Sequence, residues 1–170
     1  DIVTLDPHEA TDTYSIEAID MIYEQLVSVS NDGEYHSELA ENWEISGDTQ
    51  YVFHLRKGVR FHNGREMKAE DVVFSLERAK NNSASKSSLE NVDSIEALDD
   101  YTVKLTTCKP YSALMRNLAS SYTSIVCKAA IIDDELKEIS GTGPMIFTEY
   151  QPNYQMILTR NDKYWGEKAQ

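Results

Sequence analysis

The sequence predicts an α/β fold of mixed sheets with flanking helices, and three observations carry that prediction. From Thr49 to Arg56, Tyr51, Phe53 and Leu55 alternate with Val52 and His54, the period-two pattern of a half-buried strand. From Ala69 to Ala79, Val72, Val73, Leu76 and Ala79 recur at helical spacing. Between them, a shorter alternation of Val59 and Phe61 runs into His62-Asn63-Gly64, where Asn-Gly supplies the backbone freedom that a tight turn needs.

The remaining elements follow the same logic. Asp1 to Tyr14 reads as a strand tip and a polar loop. Ser15 to Val27 carries Ile16, Ile19, Tyr23 and Leu26 on one helical face, with Ser15 or Thr13 as its cap. Asn31-Asp32-Gly33 makes a turn, and Lys80 to Ser88 is a polar, low-complexity loop. Leu89 to Leu98 leads through a turn at Asp99-Asp100 into a strand over Tyr101 to Leu105. Pro110 opens a helix that buries Tyr111, Leu114, Met115 and Leu118. Ser121 to Val126 reads as a short strand and Asp133 to Ile139 as a short surface helix. Gly141-Thr142-Gly143-Pro144 breaks that helix, and strands over Met145 to Tyr150 and Tyr154 to Arg160 form a hairpin.

Composition narrows the function classes. The chain has 170 residues, 41% of them hydrophobic, enough for a core, and no apolar run approaches bilayer-spanning length. A net charge of −13 argues against a nucleic-acid partner, which requires a concentrated basic surface. The opening DIVTLDP has neither a basic nor an apolar leader region, so any signal peptide has been removed. Cys108 and Cys127 lie outside any CxxC or Cys/His cluster, which disfavours zinc and leaves open whether they form a disulfide. No GxSxG elbow, HExxH helix, phosphate-cradling loop or dinucleotide fingerprint is present. His8, His36, His54 and His62 are scattered without metal-ligand spacing. The chain therefore reads as non-enzymatic and without a cofactor.

A larger pattern underlies these elements. Leu39, Ala40 and Trp43 are followed by Tyr51, Phe53, Leu55, Arg56, Gly58, Val59, Phe61, His62 and Gly64, then by Ala69, Asp71, Val72 and Ser75. Leu5-Asp6-Pro7-His8 precedes them, and Gly141-Thr142-Gly143-Pro144 and Arg160-Asn161-Asp162-Lys163-Tyr164-Trp165 close the series. In this order they resemble the extracytoplasmic solute-binding proteins of ABC importers, specifically the peptide and nickel binding family. Lys68, where the family has a small polar residue, and Met145, where it has an aromatic, depart from the pattern.

The resemblance implies a type II periplasmic-binding-protein-like fold that is incomplete here, with the second large lobe missing. It implies that residues 1–33 and 141–170 are part of the first ligand-binding lobe and that residues 34–140 are a subdomain inserted in it. It implies capture of an oligopeptide or dipeptide, or another small solute, and delivery to permease subunits. Attachment to the membrane would run only through a lost anchor or the permease, at a periplasmic or cell-surface lipoprotein location. Nickel or a nickel chelate is the alternative ligand; a secreted peptide or glycoside hydrolase, or a sensory or adhesion module, are alternatives from other classes.

On that alignment His8, Thr11, Asp12, Thr13, Tyr14 and Ser15 face the ligand cleft, and the polar loop reaches toward it through Lys86 and Ser88. Metal contact is expected of none of them, save His8 if the ligand is nickel. Gly141, Thr142 and Gly143 are expected to form a crossover hinge that uses glycine's conformational freedom. Trp43, Trp165, Tyr51 and Phe61 are expected in the core.

Overall fold

Asp12 starts the first helix by accepting the Ser15 amide at 2.9 Å, so α1 covers Thr13–Ile22 in a computed structural model that describes residues 1–167. The last three residues of the predicted first-lobe span 141–170 lie outside the described residues. The cap is Asp12, not Ser15 or Thr13, and α1 ends at Tyr23, so Leu26 is buried from beyond the helix. Replacing Asp12 with Ala should lower stability measurably by leaving that helix end uncapped. Thermal unfolding of the variant checks this.

Two short strands, β1 (Val27–Val29) and β2 (Tyr35–Ser37), form a hairpin around the predicted turn at Gly33. The main sheet is antiparallel and built from β3 (Ala40–Ser46), β4 (Gln50–Leu55), β5 (Val92–Asp99) and β6 (Thr102–Thr107) in the order β3-β4-β6-β5. Its buried face carries Tyr51, Phe53 and Leu55 opposite Val103 and Leu105, as the alternation predicts. Helix α2 (Ala69–Asn81) packs on that face through Ala69, Val72, Leu76 and Ala79. The predicted loop from Lys80 begins inside α2 and ends in a 3-10 turn over Lys86–Leu89.

Three expectations need correction. The helix after Pro110 shrinks to the single turn α3 (Leu114–Asn117). Ser121–Thr123 is a 3-10 turn capped by Ser120, not a strand. Asp133 to Ile139 is not a helix: β7 (Ile131–Ile132) and β8 (Glu135–Leu136) pair across Asp133 and Asp134, both at positive φ. Aspartate tolerates that left-handed geometry better than most residues. The chain closes with the hairpin β9 (Met145–Gln151) and β10 (Gln155–Arg160).

The buried apolar residues divide into two clusters. One joins the main sheet, α2, Leu26, Leu39 and the segment from Leu114 to Ala130, with Trp43 and Trp165 packed partly against it. The other joins Leu5, Ala18, Ile19, Ile22 and Tyr23 to Phe147, Met156 and Leu158 of the last hairpin. The chain start and the chain end thus share a core that the intervening sheet does not enter. Cys108 is exposed and Cys127 buried, and both are free thiols.

Candidate functional site

The loop before α1 presents its polar side chains unequally. Leu5-Asp6-Pro7 is buried, and the chain turns there, with the amides of Glu9 and Ala10 donating to the Asp6 carbonyl. Behind the turn, Arg78 of α2 grips Asp6 through two bonds of 2.8 and 2.7 Å. The same guanidinium donates to Asp134 Oδ1 at 2.9 Å and to the Asp134 carbonyl at 2.8 Å. Only Asp134 of this group is open to solvent, so the Asp6–Arg78 pair is a buried, bidentate ion pair.

His8 belongs to this clamp rather than to a ligand face. It has no exposed surface, and Arg78 Nη1 approaches its Nδ1 at 3.0 Å. A guanidinium can only donate, so Nδ1 accepts and Nε2 carries the proton, which it donates to the Ser124 carbonyl at 2.9 Å. Both ring nitrogens are therefore occupied, and the expected ligand contact through His8 is replaced by a structural role. Burial pushes its pKa down to about 4.

Ser15 is corrected in the same way. It is buried, and its Oγ accepts the amides of Val3 at 3.0 Å and Thr4 at 3.2 Å, tying the chain start to α1. Asp12 is half-buried and committed to its cap. Thr11, Thr13 and Tyr14 remain exposed, Tyr14 at 64%. Ser121 Oγ donates to Asp20 Oδ1 and Gln25 donates to Ser124 Oγ, so the Ser120–Ser124 turn adjoins the C-terminal end of α1. The sequence predicts a strand over Ser121 to Val126, and no local pattern marks its place against α1.

Lys86 is exposed and Ser88 half-buried on the turn after α2, where Asn117 donates to the Ser88 carbonyl at 2.9 Å. Among the described residues, no hydrogen bond joins either of them to residues 8–15. Thr11, Thr13 and Tyr14 are exposed near neighbours at the start of α1, and Lys86 and Ser88 sit on another element.

The crossover is held on three sides. Thr142 donates to Glu24 at 2.8 Å, and the same buried carboxylate accepts Trp165 Nε1 at 2.9 Å and the Tyr164 hydroxyl. His62 donates from its backbone to Gly141 O and from Nε2 to Gly143 O, each at 2.9 Å. Gly141 and Gly143 are not at positive φ. They are glycines because their backbone lies against the end of α1: a Cβ on Gly141 would overlap the Ile22 carbonyl, and one on Gly143 would sit 2.7 Å from the Ile22 oxygen. Close approach, not conformational freedom, explains them.

Two titrating groups, one buried and one half-buried, act in opposite senses. Glu38 is half-buried beside Glu24, and desolvation with that neighbouring charge raises its pKa to about 7. The fold favours protonated Glu38, so its contribution is present below the unfolded value of 4.5 and lost as pH rises through 7. His8 is the reverse. Its contribution is full above 6.5 and is lost as pH falls toward 4, worth about 3 kcal/mol over that window. The two offset each other between pH 4.5 and 6.5. The variant Glu38→Gln should therefore lose stability more steeply on acidification than the wild type does, in thermal melts across that range. Parallel profiles would contradict the opposed pair.

The family pattern of the bacterial extracellular solute-binding proteins, family 5, matches residues 34–170, most of the chain. The chain belongs to that family. It is similar to di/tripeptide-binding protein 1 of Pseudomonas aeruginosa, with 35% identity over 75% of this chain and 29% of the relative. It is 33% identical to the glutathione-binding protein GsiB of Pectobacterium atrosepticum, over 95% of this chain and 33% of the relative. Among solved structures, the ABC transporter-associated periplasmic binding protein DppA of Helicobacter pylori, in complex with the peptide STSA, superposes with a TM-score of 0.87. Identity there is 35%, over 99% of this chain and 39% of that one. NikA of Brucella suis, in complex with Fe(III)-EDTA, superposes at 0.92 with 30% identity, over 99% of this chain and 35% of that one. The fold is thus the α/β periplasmic-binding-protein fold, and the chain spans about a third of the length of the curated relatives it matches.

Proposed function

We propose that the protein of which this chain is part captures short peptides outside the cytoplasm and hands them to the permease of an ABC importer. Residues 1–33 and 141–170 form part of its first ligand-binding lobe, and residues 34–140 the subdomain inserted in that lobe. One core cluster unites the chain start with the last hairpin, which supports this layout; Phe74, Val126 and Ile131 dock the subdomain onto it, and Leu26 and Val27 enter the other cluster.

The observation that carries the reading is the exposed set Thr11, Thr13 and Tyr14 where the entry loop meets the first turn of α1, a junction fixed from behind by Arg78, Asp6 and Ser15. A rigid loop of this kind can offer main-chain groups and a stacking ring to an extended ligand without reordering on binding. Such a face accepts varied side chains, which suits peptides. The similarity to a di/tripeptide-binding, a glutathione-binding and a DppA protein supports the same ligand class.

A metal chelate, of which a nickel chelate is one form, is the second reading, favoured by the fit to NikA in complex with Fe(III)-EDTA. A chelate brings its own metal ligands, and among the described residues no group of three metal-ligating side chains occurs.

Titration calorimetry of the full-length protein with a di- and tripeptide panel tests the reading. Tyr14→Ala should weaken binding about tenfold, the loss of one aromatic contact, and leave the melting temperature unchanged. Unaltered affinity would remove this loop from the site. Residues 1–170 alone should bind the same peptides weakly, because a cleft with one wall forfeits much of its contact area.

A further inference from the structure

The Asn63-Gly64 turn holds chemistry that ligand capture does not use. Asparagine before glycine is prone to lose its side-chain ammonia, because glycine leaves the following amide nitrogen sterically open. Asn63 is exposed, yet each group the reaction needs is engaged. The nucleophile, the Gly64 amide, donates to the Phe61 carbonyl at 2.8 Å. The carboxamide donates to Glu138 Oε2 at 2.9 Å and to Cys127 Sγ at 3.6 Å, and its oxygen accepts the Arg65 amide at 3.2 Å. The Asn63 amide itself donates to Ser140 Oγ at 3.1 Å.

We propose that Asn63 is a latent deamidation site, held inert by the docking of its turn on the Glu138–Ser140 segment and converted when that junction opens. In the reaction the Gly64 nitrogen gives up its proton and attacks Cγ of Asn63. The new C–N bond closes a cyclic imide as the Cγ–Nδ2 bond breaks and ammonia leaves. Water then opens the imide at either carbonyl, giving aspartate or isoaspartate. The product places a carboxylate where a donor faced Glu138, on a chain already at −13. Repulsion replaces the hydrogen bond, so one opening event leaves the turn-to-crossover junction permanently weaker.

The test is peptide mass mapping of the full-length protein kept in warm, mildly alkaline buffer, with a synthetic peptide of residues 58–70 alongside. In the folded protein Asn63 should convert at least about tenfold more slowly than in the peptide, the protection that a modest local-opening cost confers. Glu138 is exposed, so its substitution spares the core. Glu138→Ala should speed conversion about fivefold, the effect of losing one ordinary hydrogen bond, while Glu138→Gln, which keeps an acceptor oxygen, should stay near the wild-type rate. Equal rates in protein and peptide, an inert peptide, or a Glu138→Ala rate matching wild type would each overturn the proposal.

Discussion

Replacing Arg78 with Ala should cost about 3–5 kcal/mol of folding free energy. Among the described residues Arg78 is the one cation paired with Asp6, and its removal leaves there a carboxylate in the interior that accepts the amide of His8 at 3.0 Å. It also strips His8 Nδ1 of its donor and frees the β7–β8 turn, which Arg78 holds through Asp134. Removing Asp134 instead should cost no more than about 1 kcal/mol, because that carboxylate is exposed and its charge is screened. Chemical denaturation of both variants gives the comparison. A loss at Asp134 equal to that at Arg78 would show that the clamp depends on the surface partner and not on the buried pair.

The second large effect lies at the crossover. Gly141→Ala should destabilise the fold by about 3 kcal/mol or more, because the added methyl meets the Ile22 backbone, which cannot yield, with its carbonyl carbon at 2.7 Å, and the buried Tyr23 ring at 2.9 Å. For a domain of this size, that loss lowers the melting temperature by about 6–12 °C. Gly58 is the control. It sits at φ +76° with open space where a Cβ would go, so Gly58→Ala meets conformational strain alone and should cost about 1 kcal/mol. If the two variants melt together, close packing against α1 is not what makes Gly141 a glycine.

These two sites mark the boundary of what the sequence reveals. The strand of Tyr51, Phe53 and Leu55 was legible because one buried face imposes a period of two on neighbouring residues. Helix α2 was legible because its apolar stripe is local too. The signature residues within it turn out to be fasteners. Asp71 accepts the amides of Lys68 and Lys128, each at 3.0 Å, and Ser75 accepts the Val126 amide at 2.9 Å. Lys68 is consequently a tolerable start for α2: Asp71 satisfies its amide, and its side chain pairs with Asp100.

What stayed hidden is set by contacts between distant residues. Nothing around His8 announces that Arg78, seventy residues away, will occupy its ring. Nothing near Glu24 announces that Thr142, Tyr164 and Trp165 will converge on its carboxylate. The β7–β8 hairpin was misread because a run of charged residues suits an exposed helix, and two consecutive left-handed aspartates leave no periodicity to detect. The ligand loop was legible as a loop, but the division between its exposed side chains and its anchoring ones was not. Burial decides that division, and the one local hint is the helical period, which sets Ser15 but not Thr13 on the buried stripe of Ala18, Ile19 and Ile22.

Native mass spectrometry of the full-length protein, released from its source without refolding, tests the assigned ligand class most directly. Peptide capture predicts a heterogeneous set of bound masses that fragment into short peptides. A single bound mass containing nickel, alone or chelated, would contradict it.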